Sequence, residues 1–153
     1  MRGKLFAGAV IALLLIFLSG AAVSGVRFLT VDDLVARLIG VGTLLLVAVG
    51  AWVLARELWF GYRSEQLGRE LDAEGGLPED TVDRSPGGRP DREQADAQFA
   101  RLASEAEENP DDWRSWFRLS IGYDVASDRS RARKTMHRAI KMHSAERRAA
   151  RRG

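Results

Sequence analysis

Residues 5–26 have the sequence LFAGAVIALLLIFLSGAAVSGV, a stretch of twenty-two residues without a charged side chain. An α-helix of this length is roughly 30 Å long, which matches the hydrocarbon core of a lipid bilayer. Much of the apolar content of the 153-residue chain lies in this N-terminal region, whereas the remainder is rich in charged residues. The sequence therefore excludes a single large soluble core and predicts a membrane-spanning helix.

A second uncharged stretch, residues 38–55, is eighteen residues long, and further apolar residues extend it at both ends. We place the first span at about 5–26 and the second at about 36–60. An aromatic cluster typical of headgroup depth ends the second span. It consists of Trp59, Phe60 and Tyr62. Residues 1–62 are therefore predicted to form a transmembrane helical hairpin.

A cleaved signal peptide is the alternative interpretation of the first span. Arg2 and Lys4 would form its basic region, residues 5–18 its apolar region, and the small residues 20–25 its cleavage zone. Cleavage would leave only a short segment before the second span begins. The sequence therefore favours the hairpin.

The orientation prediction depends on the basic residues near the span ends. Five lie on the outer sides of the hairpin, namely Arg2, Lys4, Arg56, Arg63 and Arg69; two lie in the loop, namely Arg27 and Arg37. Because cytoplasmic segments carry the excess of Lys and Arg, both termini are predicted to be cytoplasmic. Twenty arginines against three lysines suggest a GC-rich bacterial genome, and hence the bacterial inner membrane.

The residues give no pattern for catalysis, a cofactor or a metal. No ionisable side chain lies in the middle of either span, which argues against an ion path. The chain has no cysteine, and His137 and His143, six residues apart, fall on different faces of a helix. We therefore predict that the protein is not an enzyme and uses no cofactor.

The charges outside the spans are segregated. Residues 65–112 contain fifteen acidic and five basic residues, whereas residues 128–153 contain ten basic and two acidic residues. Between the membrane and the C-terminal part we predict a linker at 63–90. It begins as a short helix with Leu67 and Leu71 four residues apart and continues from residue 75 as a flexible acidic tether rich in glycine and proline.

Three helices are predicted after the linker, at about 93–108, 113–126 and 128–143. Asp91 and Gln94 have the spacing of a capping box at the first helix, and Asn109 before Pro110 ends it. Asp128 is positioned to cap the third helix. The apolar residues recur every three to four positions, as in helices that pack on one another. We place a three-helix module at 91–143 and a basic tail at 144–153.

Residues 113–146 resemble one thirty-four-residue tetratricopeptide repeat. The matching positions are Trp116, Leu119, Ser120 and Tyr123 in the first helix and Ala132, Met136 and Ala139 in the second. Ser144 departs from the usual proline, and Ser120 from the usual glycine. By the same resemblance, residues 93–108 look like the second helix of a preceding repeat. The predicted fold is therefore all-α: a transmembrane hairpin followed by a short cytoplasmic tetratricopeptide-like module.

The resemblance implies protein or peptide binding rather than catalysis, so we expect a membrane-anchored scaffold or adaptor with an unknown protein partner. Some tetratricopeptide families bind acidic C-terminal peptides through polar side chains of the first helix. That peptide clamp is absent here, because the equivalent surface carries Arg114, Phe117, Ile121 and Asp124. We expect Arg114 to face water and Phe117 to pack against the preceding helix. The uncovered face of 93–108 could also bind a second copy of the chain.

Two alternatives remain open at this point. The chain could be a small structural subunit or assembly factor of a larger membrane complex, since tetratricopeptide proteins of cytochrome c maturation have a similar layout. The basic tail could simply be solvated, or it could contact anionic lipid or, less favoured, nucleic acid. The residues concerned are Arg147, Arg148, Arg151 and Arg152.

Overall fold

A computed structural model of the chain describes residues 2–79 and 81–153, with side chains from residue 5 onward. The fold is all-α, as predicted, and the described residues contain one isolated β-bridge and no strand. The five helices are α1 (Arg2–Leu29), α2 (Leu34–Ala73), α3 (Arg92–Glu108), α4 (Trp113–Val125) and α5 (Arg129–Ala150). The chain divides into two compact units, Met1–Trp59 and Phe60–Gly153.

The first unit is a helical hairpin with a tight turn. Asp33 accepts a hydrogen bond from the backbone N–H of Ala36 at 2.8 Å and so caps the start of α2. Gly25 and Gly40 face each other across the hairpin. A Cβ atom on Gly40 would lie 2.8 Å from the carbonyl oxygen of Gly25, so the two backbones can approach this closely only without side chains.

By length and composition, both helices of the hairpin can cross a membrane. The most apolar eighteen-residue windows have mean hydropathies of 2.5 and 2.4, and 0% and 6% of them are buried within the protein. Large side chains such as Leu13, Phe17 and Leu46 are exposed on these helices. A lipid bilayer would shield these exposed apolar side chains from water.

The second unit contains the predicted C-terminal helices, and the bounds of α3 and α4 lie close to the predicted ones. An aspartate caps each N-terminus: the carboxylates of Asp91, Asp112 and Asp128 each accept a backbone hydrogen bond from the first turn. α4 packs against α3 on one side and pairs with α5 on the other. One apolar cluster lies between α3 and α4; it is formed by Leu102, Ala106 and Leu119, flanked by Phe99, Ala103, Trp116 and Tyr123.

A second apolar cluster brings the end of α2 into the module. Leu67 and Leu71 are only 0% and 1% exposed, and they pack with Trp113 and Phe117 of α4 and with Ile140 of α5. The sequence-based domain organisation differs here, because it assigned these leucines to a linker. The side of α2 that carries Leu67 and Leu71 packs against α4 and α5. The module therefore contains four helical segments rather than three.

The segment after α2 is folded rather than an open tether over its described residues. Gly75, at φ +69°, occupies the left-handed position of a Schellman turn, in which the N–H of Gly76 donates to the Leu71 carbonyl at 2.9 Å. Val82 is 6% exposed. Gln94 makes only half of the predicted capping box, because its side chain binds Asp83 through both amide atoms. These contacts replace the predicted flexibility at 81–90.

The last helix is longer than predicted. α5 continues to Ala150, whereas the sequence placed its end near His143 and a separate basic tail at 144–153. Residues 144–150 lack glycine and proline, so no local signal interrupts the helix. Most of the predicted tail is therefore the exposed final part of α5.

Candidate interaction surfaces

The residues that resemble a tetratricopeptide repeat lie along the α4–α5 pair. Four are buried, namely Leu119, Ser120, Ala132 and Ala139, and three are half-buried, namely Trp116, Tyr123 and Met136. The structure divides them between the two clusters: Leu119 and Tyr123 face α3, whereas Met136 and Ala139 pack with the leucines of α2. The small side chain of Ala139, fully buried, allows α5 to approach its neighbours closely.

The sequence predicted that Arg114 faces water, but in the structure its side chain binds Glu74. Its guanidinium donates to both carboxylate oxygens of Glu74, at 2.6 Å from Nε and 2.7 Å from Nη2. This hydrogen bonding lowers the pKa of the Glu74 carboxyl and raises the pKa of Arg114. The guanidinium also lies 4.7 Å from the Trp113 ring. Arg114 therefore links the turn after α2 to the start of α4.

Phe117 packs on a different helix from the expected one. Its ring belongs to the cluster with Leu67 and Leu71, and a Cβ atom on Gly68 would lie 3.4 Å from its Cζ. The sequence prediction placed it against the preceding helix of the repeat pattern, which is α3. The end of α2 occupies this face of α4 instead.

The two histidines have separate structural roles. His143 is 1% exposed; its Nε2 lies 3.0 Å from a carboxylate oxygen of Glu70, and its ring stands edge-on to Trp113 at 4.9 Å. The ring of His137 lies 4.5 Å from that of Phe60, centroid to centroid, in a tilted arrangement. Within residues 2–79 and 81–153, no group of three His, Cys, Asp or Glu residues is placed to hold a metal ion.

Sequence reasoning missed the contribution of α2 to the module. The four-residue spacing of Leu67 and Leu71 carried the signal, and Glu70 lies on the turn between them. The spacing alone identifies a helix with one apolar side but not the surface that covers it. The same limit applied to His143, whose polar type gives no indication of complete burial.

An apolar groove opens between the end of α2, α4 and α5, with a volume of about 440 Å³. Its floor is formed by Phe60, Ile121, Ala132 and Met136, and its charged rim by Asp124, Arg129 and Arg133. The Phe60 ring contacts the ring of His137, and the guanidinium of Arg133 lies 4.6 Å from the Phe60 centroid. The groove is therefore a preformed concave surface with an apolar base.

The four arginines predicted to contact an anionic surface fall on different sides of α5. At 100° per residue, Arg148 continues a line of exposed basic residues along the helix, whereas Arg147 turns away from it. We call this line the basic stripe: Arg131, Lys134, Arg138, Lys141 and Arg148. Arg151 and Arg152 lie beyond the end of α5, in its cap and the following turn.

Comparison of the chain with protein families, with curated proteins and with solved structures gives no match.

Proposed function

We propose that this chain is a non-catalytic scaffold or adaptor anchored in the bacterial inner membrane, with its helical module in the cytoplasm. The two apolar helices α1 and α2 support membrane anchoring. The close approach of Gly25 and Gly40 supports a first span that is retained rather than cleaved, because α1 and α2 fit together as a hairpin. The distribution of basic residues favours the cytoplasmic side for both termini.

The module is proposed to be of the tetratricopeptide type. The consecutive pairing of α3 with α4 and of α4 with α5 supports this, as does the burial of Ala132 and Ala139 where the second helix meets its neighbours. Repeats of this kind bury their faces on adjacent helices. In this chain the end of α2 covers part of the surface that an isolated repeat would leave open.

The apolar groove is the observation that best supports a binding function. It is open, apolar at its base, and of a size that can accept apolar side chains of a peptide. Its rim bears two arginines and one aspartate. We therefore propose a protein partner that inserts apolar side chains next to Ile121 and Met136 and places an acidic side chain near Arg129.

The test is affinity purification of the tagged full chain from membranes in mild detergent, with companions quantified by mass spectrometry. The groove variant is Arg129→Glu, in which a carboxylate in the first turn of α5 suits the helix dipole and should leave the fold intact. The matched control is Arg101→Glu, which makes the same charge change on the exposed side of α3. We expect companions to be lost from R129E and retained by R101E.

If the same proteins co-purify with R129E in unchanged amounts, the groove is not their binding site. The stoichiometry separates the adaptor from its alternative. Substoichiometric companions favour an adaptor, whereas companions present in fixed equal amounts favour a structural subunit or assembly factor of a membrane complex.

A further inference from the structure

A second groove lies between α4 and α5, and its linings differ from those of the apolar groove. Its volume is about 520 Å³, and among the described residues the two grooves share no lining side chain. We call it the basic groove. It is lined by the first four residues of the basic stripe together with Trp116, Tyr123, Thr135 and His137. None of these eight side chains is acidic, so the groove presents positive charge along its α5 wall.

The positive charges of the basic groove lie close together on one helix. Its four stripe residues are exposed and are spaced three, four and three positions apart along α5. Like charges at these spacings repel one another and destabilise a helix. Asp128 offsets the first of them in part, since its carboxylate lies 3.4 Å from Nε of Arg131. The one acidic residue of α5 itself, Glu146, does not line the groove. An anionic ligand would relieve the remaining repulsion.

Trp116 holds one of these charges in a fixed position. The guanidinium of Arg138 lies 3.5 Å from the Trp116 ring centroid. Trp116 is itself fixed, because its Nε1–H donates to the Pro110 carbonyl at 2.9 Å and its side chain packs against both apolar clusters. A guanidinium stacked on an aromatic ring keeps its N–H groups available in its own plane, where two of them can bind one carboxylate. Less side-chain entropy is therefore lost when a carboxylate binds.

The contacts of the two aromatic rings favour a protein ligand over a nucleic acid. Single-stranded nucleic acids bind basic grooves by stacking their bases on aromatic side chains. Here the Trp116 ring is stacked with Arg138 and packs on the apolar clusters. The Tyr123 ring lies 4.8 Å from the ring of Phe99 and 6.0 Å from the guanidinium of Arg131. Both rings are therefore already engaged within the module, whereas a row of carboxylates needs only the charged groups.

The length of the charged wall indicates the kind of ligand. From Arg131 to Lys141 the charges extend about 15 Å along α5, farther than a single phosphate or carboxylate group can reach. We propose that the basic groove binds an acidic segment of a partner protein, whose carboxylates are distributed along this wall. The contact is made by α5, the second helix of the repeat resemblance, and not by the first helix that forms the acidic-peptide clamp of some tetratricopeptide families. Because the two grooves share no lining residue, this site goes beyond the proposed contact at the apolar groove.

A fluorescently labelled decamer of glutamate is the probe, because it carries carboxylates and no base. Its binding to the full chain in an uncharged mild detergent is measured by fluorescence anisotropy. Lys134→Gln with Lys141→Gln removes two charges of the groove, and Arg147→Gln with Arg151→Gln removes two exposed charges outside it. The groove variant should bind the probe roughly fivefold more weakly, as expected for the loss of two exposed ion pairs, and the control should change much less. Circular dichroism should show the same helix content in both variants.

The lysines of the groove also allow the contact to be mapped. Lys134 and Lys141 are two of the three lysines in the chain, and the third is Lys4. A carbodiimide joins a lysine amine to a carboxylate that is in contact with it, and mass spectrometry identifies the lysine. We expect the probe to be linked to Lys134 and Lys141 and not to Lys4. Lys134→Arg with Lys141→Arg keeps both charges, so it should bind the probe within about twofold of the unmodified chain but lose the cross-links.

Four results would overturn the proposal. The first is no binding of the probe at low salt. The second is equal weakening in both glutamine variants, which would indicate a dependence on net charge rather than on the groove. The third is displacement of the probe by a thymidylate decamer at a lower concentration than by unlabelled glutamate decamer, which would assign the groove to nucleic acid. The fourth is self-association of the full chain in analytical ultracentrifugation that the groove variant abolishes, which would assign the groove to a second copy.

Discussion

Glu74 and Arg114, forty residues apart in the sequence, form a two-point ion pair that fixes the turn after α2 to the start of α4. The pair continues into the N-terminal cap of α4, because Asp112 lies 3.4 Å from the same guanidinium. Paired hydrogen bonds of this geometry fix the orientation of both partners. The contact therefore holds the turn after α2 against the start of α4 within the module.

Replacement of Glu74 by glutamine should lower the melting temperature at neutral pH, because it removes the charge that pairs with Arg114. The hydrogen bond from Arg114 lowers the pKa of Glu74 in the folded protein. Its stabilisation is therefore complete above the pKa of an unpaired glutamate, about 4.3, and is lost as the pH falls through the lowered value. Thermal melts of the full chain in mild detergent from neutral to acid pH would measure this.

Glu107→Gln is the matched control, since Glu107 is exposed on α3. Its melting temperature should follow that of the unmodified chain at every pH. A gap between E74Q and the unmodified chain that stayed constant into strong acid would show that the carboxylate charge is not its cause.

Leu67 and Leu71 should be the most sensitive positions in the end of α2. Both are essentially inaccessible to solvent, so each replacement by alanine should lower the free energy of unfolding by about 2–5 kcal/mol. Leu77, which is 38% exposed, should tolerate the same change within about 0.5 kcal/mol. Denaturant unfolding followed by tryptophan fluorescence reports this directly, because Trp113 lies in the same cluster. Equal effects at all three positions would mean that α2 does not belong to the core of the module.

Ala139 tests the close helix packing that the repeat resemblance requires. It is 0% exposed, so Ala139→Leu should overpack the core and cost about 1–3 kcal/mol of stability. Ala145→Leu adds the same side chain to the exposed side of the same helix and should be almost neutral. Melting temperatures of the two variants give the comparison. If A139L proved as harmless as A145L, the close approach at this position would be wrong.

The membrane topology is tested by fusions to alkaline phosphatase, which is active only outside the cytoplasm. A fusion after Gly153 should be inactive and one in the loop at Thr30 active, because five basic residues flank the outer sides of the hairpin against two in the loop. Expression of both fusions should be checked by immunoblot. An active C-terminal fusion combined with an inactive loop fusion would place the module on the outer side of the membrane.

The helices of the module could be predicted from the sequence because their signals are local. Asp91, Asp112 and Asp128 stand immediately before apolar residues at helical spacing, and each caps the helix that follows. The two long apolar helices could also be predicted, since the hydropathy and length of a segment do not depend on the rest of the fold. All-α structure follows from these local patterns.

The contacts between distant segments could not be predicted in this way. The leucine pair of α2 indicated an apolar side but not its partner, and Glu74 lies forty residues before the arginine that binds it. The basic tail was separated from α5 because the apolar positions become sparse after His143, although nothing in residues 144–150 ends the helix. Local signals therefore identified the helices but not the surfaces that cover them, and the predicted interaction sites stay predictions.

The last prediction concerns how much of the chain is needed for the module to fold. A fragment of residues 91–153 contains three helices and lacks both leucines of α2, so the surface of Trp113, Phe117 and Ile140 is uncovered. Burial of a leucine contributes about 1.5–3 kcal/mol, which is a large share of the stability of so small a domain. We expect this fragment to be marginally stable and to associate through its uncovered apolar surface.

A fragment of residues 60–153 supplies the missing segment and should be a monomer that melts cooperatively. The control is the same fragment with Leu67→Ala and Leu71→Ala, which keeps the chain length but removes the apolar cover. It should behave like the 91–153 fragment, with a melting temperature that rises with protein concentration if copies cover each other's surface. Circular dichroism and analytical ultracentrifugation distinguish these states. A 91–153 fragment that melted as cooperatively as 60–153, at the same temperature and independent of concentration, would show that the module is complete without α2.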